Sequence, residues 1–463
     1  MSSSSGSRAQ LLTAPVGATL WSMTWPVIFG VLTLISFNVV DTFFISLIGT
    51  QELAAVGFTF PVSFTVISLT IGLGIGTSAV IARKLGADNI EGARQVGSSA
   101  LYLAALLVGT LAFIAFIFTV PIFSLLGATD DLMPIIKDYM YIWYAGAVLL
   151  VMPMVGNSIL RASGDTKTPS MIMGLGGLLN AILDPILIFG WGPIPAMGVK
   201  GAALASVLAW AIGFSLIIYL LVGRSKLIDW RPPEFAIFVT SCRKLLRIGI
   251  PAAAANMMTP IAMGVLTAVV ATHGAAAVAA FGVGIRLESL ASVVILALSM
   301  SLPPFISQNF GAGRWDRVQE AYRKSLAFVL LFQLGIYLLL VLMLPGLQLA
   351  FAREEAVAEV LALFVWTLPL GYGFQGAIIL TNSSFNALHQ PSRAFLLSVV
   401  RLFVTFVPFA MVGNYFYGLV GLFVGGVIAN ILTAFFAYRW FMQALGKAQQ
   451  AHEHPPIMPA GAK

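Results

Sequence analysis

The sequence predicts an all-α polytopic membrane protein with twelve transmembrane helices in two six-helix lobes. Three observations predict this fold class: the composition, a series of long apolar segments, and an internal repeat. Of the 463 residues, 59% are hydrophobic and only 9% are charged, and the mean hydropathy is +0.95. Soluble globular proteins carry about 25% charged residues. The composition therefore excludes a soluble enzyme, a nucleic-acid-binding protein and a disordered chain.

A membrane-spanning helix needs roughly 20 apolar residues, and twelve segments meet this condition. Spans 1 to 12 are expected at residues 17–47, 52–82, 95–118, 132–160, 169–189, 199–222, 245–271, 277–305, 321–344, 356–385, 394–413 and 417–441. The polar, Ser-rich first ten residues lack the short apolar core and cleavage site of a signal peptide. We therefore expect the first apolar segment to remain in the membrane.

Basic residues predict the orientation of these spans. If both termini are cytoplasmic, the outer loops hold only Lys137, Lys200 and Arg353, whereas the inner loops hold many more Lys and Arg residues. An excess of Lys and Arg marks cytoplasmic loops. We therefore predict that both termini are cytoplasmic and attribute the net charge of +7 to this bias rather than to a nucleic-acid partner.

The two halves of the chain resemble each other at a fixed offset, since Pro26 corresponds to Pro251 and 251 − 26 = 225. Further pairs at this offset are Gly49 with Gly274, Gly57 with Gly282, Gly86 with Gly311 and Ala87 with Ala312. An offset of 220 pairs Gly198 with Gly418 and Gly201 with Gly421. Because six is an even number of spans, both halves insert in the same direction, as parallel repeats. Such lobes transport solutes by alternating access around a central site.

The repeat predicts five regions. They are a cytoplasmic N-terminal tail (1–16), an N-lobe of spans 1–6 (17–222), a cytoplasmic linker (223–244), a C-lobe of spans 7–12 (245–445) and a cytoplasmic C-terminal tail (446–463).

Two acids are expected at the same depth in the N-lobe. Asp41 in span 1 and Asp184 in span 5 each precede the end of the span by about five residues, or about 8 Å. Asn38 and Asn180 share helix faces with these acids, and Ser206 on the antiparallel span 6 lies near the same level. Placing a charged group inside a bilayer costs free energy, so such groups usually mark a functional site.

Two nearby carboxylates in a low dielectric cannot both remain charged without a large cost, so one binds a proton or a cation lies between them. Oxygen ligands suit H⁺ or Na⁺ better than a soft metal. We predict a coupling-ion site of Asp41, Asn180, Asp184 and Ser206. The alternative is two separate structural carboxylates. At the 225 offset the two acids correspond to Leu266 and Phe409, so the ion chemistry is expected in the N-lobe alone.

A second group of charges lies in the C-lobe. Glu288 in span 8 follows Arg286 by two residues, a spacing that places the two side chains on different helix faces. Arg401 in span 11 is a candidate partner for Glu288. A structural ion pair and a second functional site both fit this pattern.

Span 1 also carries Pro26 and Gly30, below Asp41. Proline removes a backbone hydrogen bond and permits a kink, so these residues are a candidate hinge or part of a static helix. Methionine and aromatic side chains that face the lobe interior can form an adaptable apolar pocket. The candidates for lining it are Phe37, Asn38, Asn157 and Met173.

Motifs of enzymes and ATP-driven pumps are absent from the sequence. It contains no HExxH, no GxSxG and no Walker A motif, so we expect neither an enzyme nor ATP-driven transport. We also expect no metal site and no cofactor other than the coupling ion, H⁺ or Na⁺.

Several segments resemble the MATE (multidrug and toxic compound extrusion) transporters. They are Pro26 to Asp41 in span 1, Leu160 to Pro169 after span 4, Asn180 to Pro185 in span 5, and Gly198 to Ala203. The resemblance extends over roughly residues 15–445. Within this family, the pattern of acidic residues is similar to that of the DinF-like branch, whose functional acids lie in the N-lobe. The NorM-like branch also uses acids in helices 7 and 10, where this sequence has Asn256 and no acid.

The resemblance implies a cation site at Asp41, Asn180 and Asp184, with Ser206 at the family's threonine position, and a role for Asn157. It implies a cation-coupled antiporter in a bacterial inner membrane that exports amphipathic, often cationic or aromatic compounds and gives drug resistance. We expect a monomer whose partners are membrane lipid and these small substrates.

The alternative function is a lipid-linked saccharide flippase of a related fold. A flippase would be expected to have a wide basic cavity. Most basic residues here lie in loops, and only Arg286 and Arg401 lie deep in the spans.

Overall fold

The computed structural model describes residues 11–229, 231, 233–352 and 354–453, without the side chains of Asn38 and His452. Parts of both predicted tails, and Arg353 of a predicted outer loop, lie outside these residues. The described chain is almost entirely helical, as the apolar runs predict. The N-terminal half contains α1 (Val16–Ile48), α2 (Thr50–Gly86), α3 (Ile90–Ile117), α4 (Thr119–Leu125), α5 (Met133–Ala162), α6 (Lys167–Phe189) and α7 (Val199–Tyr219).

The C-terminal half contains α8 (Phe235–Ala271), α9 (Ala275–Ala291), α10 (Val293–Gly311), α11 (Trp315–Phe351), α12 (Glu355–Thr367), α13 (Tyr372–Ala387), α14 (Pro391–Val399) and α15 (Val407–Glu453). Short segments of other helix types adjoin some of them. They are the π-helical Leu220–Arg224 after α7, the 3₁₀-helical Leu368–Gly371 between α12 and α13, and the π-helical Val400–Phe406 between α14 and α15.

Twelve spans are present, although the described residues form eleven continuous apolar helical stretches long enough to cross a membrane. The last stretch holds two spans, because α15 reverses direction at Tyr417 and Gly418, whose backbone angles are not helical. A Cβ atom on Gly413 would contact the Gly421 carbonyl, so the two arms of α15 are antiparallel and closely packed. The predicted fold class is confirmed.

The internal repeat is visible in the helix boundaries. Helix α2 begins at Thr50 and α9 at Ala275, and 275 − 50 = 225. The same offset relates the ends of α2 and α10, the starts of α3 and α11, and the ends of α5 and α13. Positive φ angles recur as well, at Gly198 (55°) and Gly418 (57°). Two further pairs are Asp88 (60°) with Gly313 (71°) and Gly164 (92°) with His389 (58°).

The described chain forms two compact units. One consists of Trp21–Met257, and the other of Leu11–Leu20 together with the chain from Met258 onward. The predicted linker 223–244 and the first part of α8 therefore belong to the first unit. In that unit, α5 packs against α2, α3 and α7. The core of the second unit contains Phe281, Phe364 and Phe423, with Phe281 and Phe423 stacked at 6.2 Å between ring centroids.

Candidate functional site

The two N-lobe acids lie on different helices, within electrostatic range of each other. Asp184 on α6 is fully buried, with 0% of its surface exposed. Asp41 on α1 is half-buried, and its Oδ1 atom is buried without a hydrogen-bond partner among the described residues. The two carboxylates interact electrostatically with each other and with the phenol of Tyr139 on α5. Like charges repel strongly in a low dielectric, so this arrangement holds two repelling groups away from water.

An amide and a hydroxyl join helices α6 and α7 beside Asp184. The Asn180 Nδ2 atom donates a hydrogen bond of 3.0 Å to Ser206 Oγ, and both residues are almost fully buried. Asn180 lies one turn before Asp184, so the two side chains share a face of α6. The helices approach closely because Gly201 has no side chain: a Cβ atom there would contact the Leu187 carbonyl.

Helix α1 carries Asp41 along the surface of α6. A Cβ atom on Gly30 would lie 3.3 Å from Ser170 Cα, and one on Gly177 would lie 3.1 Å from Thr33 Cγ2. Small residues allow such close helix contacts in membranes. Gly30, a candidate hinge residue, is therefore a contact point with α6. Pro26, the other candidate, lies inside the continuous helix α1.

The four candidate pocket residues do not form one group. Phe37 is half-buried on α1, one turn before Asp41, and the described structure does not include the side chain of Asn38. Asn157 is buried on α5, but 157 − 139 = 18 residues separate it from Tyr139, which is about 27 Å along the helix. Met173 is half-buried and lies about 17 Å along α6 from Asp184.

In the C-lobe, the structure places Glu288 and Arg401 within electrostatic range of each other, while Arg286 lies on a different face of α9. The Gln375 Nε2 atom donates a hydrogen bond of 2.8 Å to Glu288 Oε1. The charges of Glu288 and Arg401 also interact. Arg286 is exposed, as its different helix face predicts.

Sequence reasoning did not identify Tyr139, Tyr372 or Gln375 as neighbours of these acids. A single phenol or amide in an apolar span gives no charge signal. Which acid it contacts depends on the rotation of its helix. Within the described residues, no three His, Cys, Asp or Glu side chains converge on a common point that could hold a metal ion.

Comparisons with known proteins agree with this architecture. The MatE family model matches residues 26–186 and again residues 251–412, two matches that begin 225 residues apart. The FAD transporter of Shewanella oneidensis is 41% identical over 431 residues, which cover 93% of this chain and 95% of that protein. The probable multidrug resistance protein NorM of Thermotoga maritima is 25% identical, with 86% and 85% of the two chains covered.

Solved structures show the same fold. The crystal structure of the Vibrio cholerae MATE transporter VcmN in its bent form superposes with a TM-score of 0.89 at 34% sequence identity, covering 96% of this chain and 99% of that one. The MatE model describes a family of transporters, and the relatives from Shewanella oneidensis and Vibrio cholerae are named as transporters. The protein is therefore a transporter and not an enzyme. The chain belongs to the MatE family, that is, to the MATE transporters.

Proposed function

We propose that this transporter is a cation-coupled antiporter that exports amphipathic, often cationic or aromatic compounds by alternating access. Its ion site would lie in the N-lobe, at Asp41, Asn180, Asp184 and Ser206. The observation that carries the proposal is the pair of interacting acids, one fully buried and the other with an unpartnered buried oxygen. Relatives named as a probable multidrug resistance protein and as a multidrug export protein support the export of drugs.

Binding of an ion would relieve the repulsion between the two acids and would supply the missing partner of Asp41. A proton on one acid, or a Na⁺ ion between the two, removes the repulsion and gives Asp41 Oδ1 a partner. The oxygen atoms of Asn180 and Ser206 are further ligands of a kind that suits Na⁺. Since a bound cation reduces the negative charge of the N-lobe by one, it would weaken the attraction for a cationic drug. Ion entry and drug release would then be coupled.

The available energy is sufficient for export. One elementary charge moving down 100 mV releases about 2.3 kcal/mol. At about 1.4 kcal/mol per tenfold change, this supports roughly a 40-fold concentration ratio of an uncharged drug, whereas the export of a cationic drug is driven by the concentration gradient of the ion.

Flavin adenine dinucleotide is a second candidate substrate. It is suggested by the name of the Shewanella oneidensis relative, which is similar over 93% of this chain. Its two aromatic ring systems fit the aromatic class above, but its diphosphate is anionic. We further propose the bacterial inner membrane as the location, cytoplasmic termini, a monomeric state, and no cofactor besides the coupling ion.

The test is dye efflux from reconstituted vesicles under separate H⁺ and Na⁺ gradients. Wild type should move a fluorescent cationic dye under at least one gradient, which identifies the ion. Asp41→Asn and Asp184→Asn should each abolish this movement while retaining insertion and folding. Asp138→Asn is the matched control, since this exposed acid is adjacent to Tyr139 in sequence and pairs with Lys200 at 3.3 Å.

Full gradient-driven efflux by the Asp41 and Asp184 variants would refute the ion site. Movement of flavin adenine dinucleotide without movement of the dye would favour the second candidate substrate. If wild type moves neither compound under either gradient, the flippase alternative gains support.

A further inference from the structure

A polar cluster lies in the middle of three C-lobe spans, outside the proposed ion site. It consists of Glu288 on α9, Tyr372 and Gln375 on α13, and Arg401 in the π-helical segment, and we call it the C-lobe cluster. Glu288 lies about 20 Å along its span from the start at Ala275. Tyr372 and Arg401 lie about 25 Å and 15 Å from the starts of theirs. The cluster is therefore far from the span ends.

Two hydrogen-bond donors of the cluster have no acceptor in the part of the chain that the structure describes. Tyr372 is only 3% exposed, and its hydroxyl has no hydrogen-bond partner among the described residues. The Nε atom of Arg401 is also buried and unpartnered. Both side chains interact electrostatically with Glu288, whose Oε1 accepts from Gln375 at 2.8 Å. Arginine and tyrosine donors that are removed from water require an acceptor.

The backbone is irregular directly before Tyr372 and at Arg401. Near Glu288 the helical hydrogen bonds continue through Ser292, which joins α9 to α10 with helical backbone angles, and the Ala291 carbonyl also accepts a hydrogen bond from Gln333. The 3₁₀ segment Leu368–Gly371 directly precedes Tyr372, and Arg401 lies in a π-helical segment. Irregular turns inside membrane helices are frequent at binding sites.

The repeat shows that the shared fold does not require this cluster. At the 225 offset, Glu288, Tyr372 and Arg401 correspond to Ser63, Ala147 and Gly176. All three N-lobe residues lie in continuous α-helices, α2, α5 and α6, and none of them is charged. The same helices pack without a buried charge in the N-lobe at these positions. The cluster is therefore an addition to the repeat rather than a part of its packing.

We propose that the C-lobe cluster binds a phosphate oxyanion carried by an aromatic solute. Arg401 would provide charge-assisted hydrogen bonds and Tyr372 a neutral one, a donor set that suits phosphate. Arg401 would repel a cation at the same place. Glu288 would repel the phosphate, which limits affinity and favours release. The inference that this ligand is an exported substrate rests on the export function proposed above.

The same phosphate chemistry is offered by lipid headgroups. Headgroups lie at the ends of membrane spans, about 15 Å from the bilayer centre. The cluster lies mid-span, so its position favours the phosphate of a solute that enters the lobe.

The test is equilibrium binding to the purified full-length protein in neutral detergent. The probes are riboflavin 5′-phosphate and riboflavin, which share one ring system and differ by one phosphate, and binding is followed by flavin fluorescence. Wild type should bind the phosphorylated probe more tightly. Arg401→Gln should weaken its binding about 10- to 100-fold, with little effect on riboflavin. Tyr372→Phe should weaken it about threefold.

Glu288→Gln gives the sharpest result, because the proposal predicts a gain. Removal of the repelling carboxylate should tighten binding of the phosphorylated probe about three- to tenfold. This variant and Tyr372→Phe keep the test decisive if Arg401→Gln does not fold. Arg439→Gln, an exposed arginine of the same lobe, is the matched control and should bind as wild type does.

An unchanged ratio of the two affinities in Arg401→Gln would overturn the proposal, as would weaker binding in Glu288→Gln. Failure of wild type to bind any phosphate probe would also overturn it. Phosphatidylglycerol is titrated in parallel. If its retention depends on Arg401 and flavin phosphate does not bind, the phosphate belongs to a lipid rather than to a solute. No gradient is involved, so failure of dye efflux and failure of this site remain distinguishable.

Discussion

The N-lobe and the C-lobe repeat the same helices but carry different charges on them. In the N-lobe, Asp41 and Asp184 lie on the continuous helices α1 and α6. In the C-lobe, Arg401 lies in a π-helical segment, whereas Glu288 lies within the α-helix α9. At the 225 offset, each of these four residues corresponds to an uncharged residue in the other lobe.

This comparison separates what the fold requires from what transport requires. The turns with positive φ and the helix boundaries are common to both lobes, because six helices must pack and reverse in the same way. Buried charges contribute nothing to that packing and are costly in a membrane. Charges that occur in one lobe only are therefore the best guide to chemistry.

After the loss of transport expected for the two acids, the largest effect is expected at Asn180, which belongs to the proposed ion site. Asn180→Ala removes a polar ligand next to Asp184 and the hydrogen bond to Ser206. We expect ion-coupled efflux to fall about 10- to 100-fold, the range found when groups that support an ion site are removed. Efflux from vesicles, normalised to the amount of folded protein, measures this. Undiminished efflux would show that the N-lobe amide has only a structural role.

A smaller effect is expected at Ser206. Ser206→Ala removes the 3.0 Å hydrogen bond to Asn180 and should reduce coupled efflux about two- to tenfold, the equivalent of one hydrogen bond. Ser206→Thr retains the hydroxyl and should restore most of the activity. Equal activity of the two variants would mean that the hydroxyl does not contribute to the site.

Two repeat-related glycines should have equal effects on stability. Gly198 and Gly418 adopt nearly the same angles, φ 55° with ψ −131° and φ 57° with ψ −141°, at the reversals before the sixth helix of each lobe. Side chains are strained in this region, so alanine at either position should lower the free energy of unfolding by about 1–3 kcal/mol. Chemical unfolding of the two variants tests this. Clearly unequal losses would contradict the equivalence of the two turns.

The sequence predicted those parts of the structure that follow from helix geometry. Counting residues along antiparallel spans placed Ser206 near the level of the two acids, and its side chain meets that of Asn180, one turn before Asp184, at 3.0 Å. The 225 offset similarly predicted which helices correspond. Both arguments depend only on the fixed rise of a helix and on the alternation of span direction.

Contacts that depend on helix rotation were not predictable in this way. Tyr139 lies near the two acids because of how α5 packs, and hydropathy does not determine that rotation. Nor does hydropathy mark the π-helical segment around Arg401, since its apolar residues resemble those of any regular span. For Asn157, counting residues along span 4 already predicts a position near the inner end of the helix, and the structure likewise places it far along α5 from Tyr139. Its role stays a prediction that the family resemblance implies.

The smallest effect is expected at Thr405, the residue that corresponds to Asn180 at the 225 offset. Thr405 and Thr433 form an interhelical hydrogen bond of 2.8 Å, so a polar contact joins the fifth and sixth helices in both lobes. Each threonine hydroxyl also has a backbone carbonyl within reach, which leaves it partnered when the other is removed. Thr405→Val should therefore lower the free energy of unfolding by only about 0.6 kcal/mol, the average for such bonds in membranes, and leave efflux unchanged. A loss of efflux comparable to that of Asn180→Ala would place transport chemistry in both lobes and break the comparison.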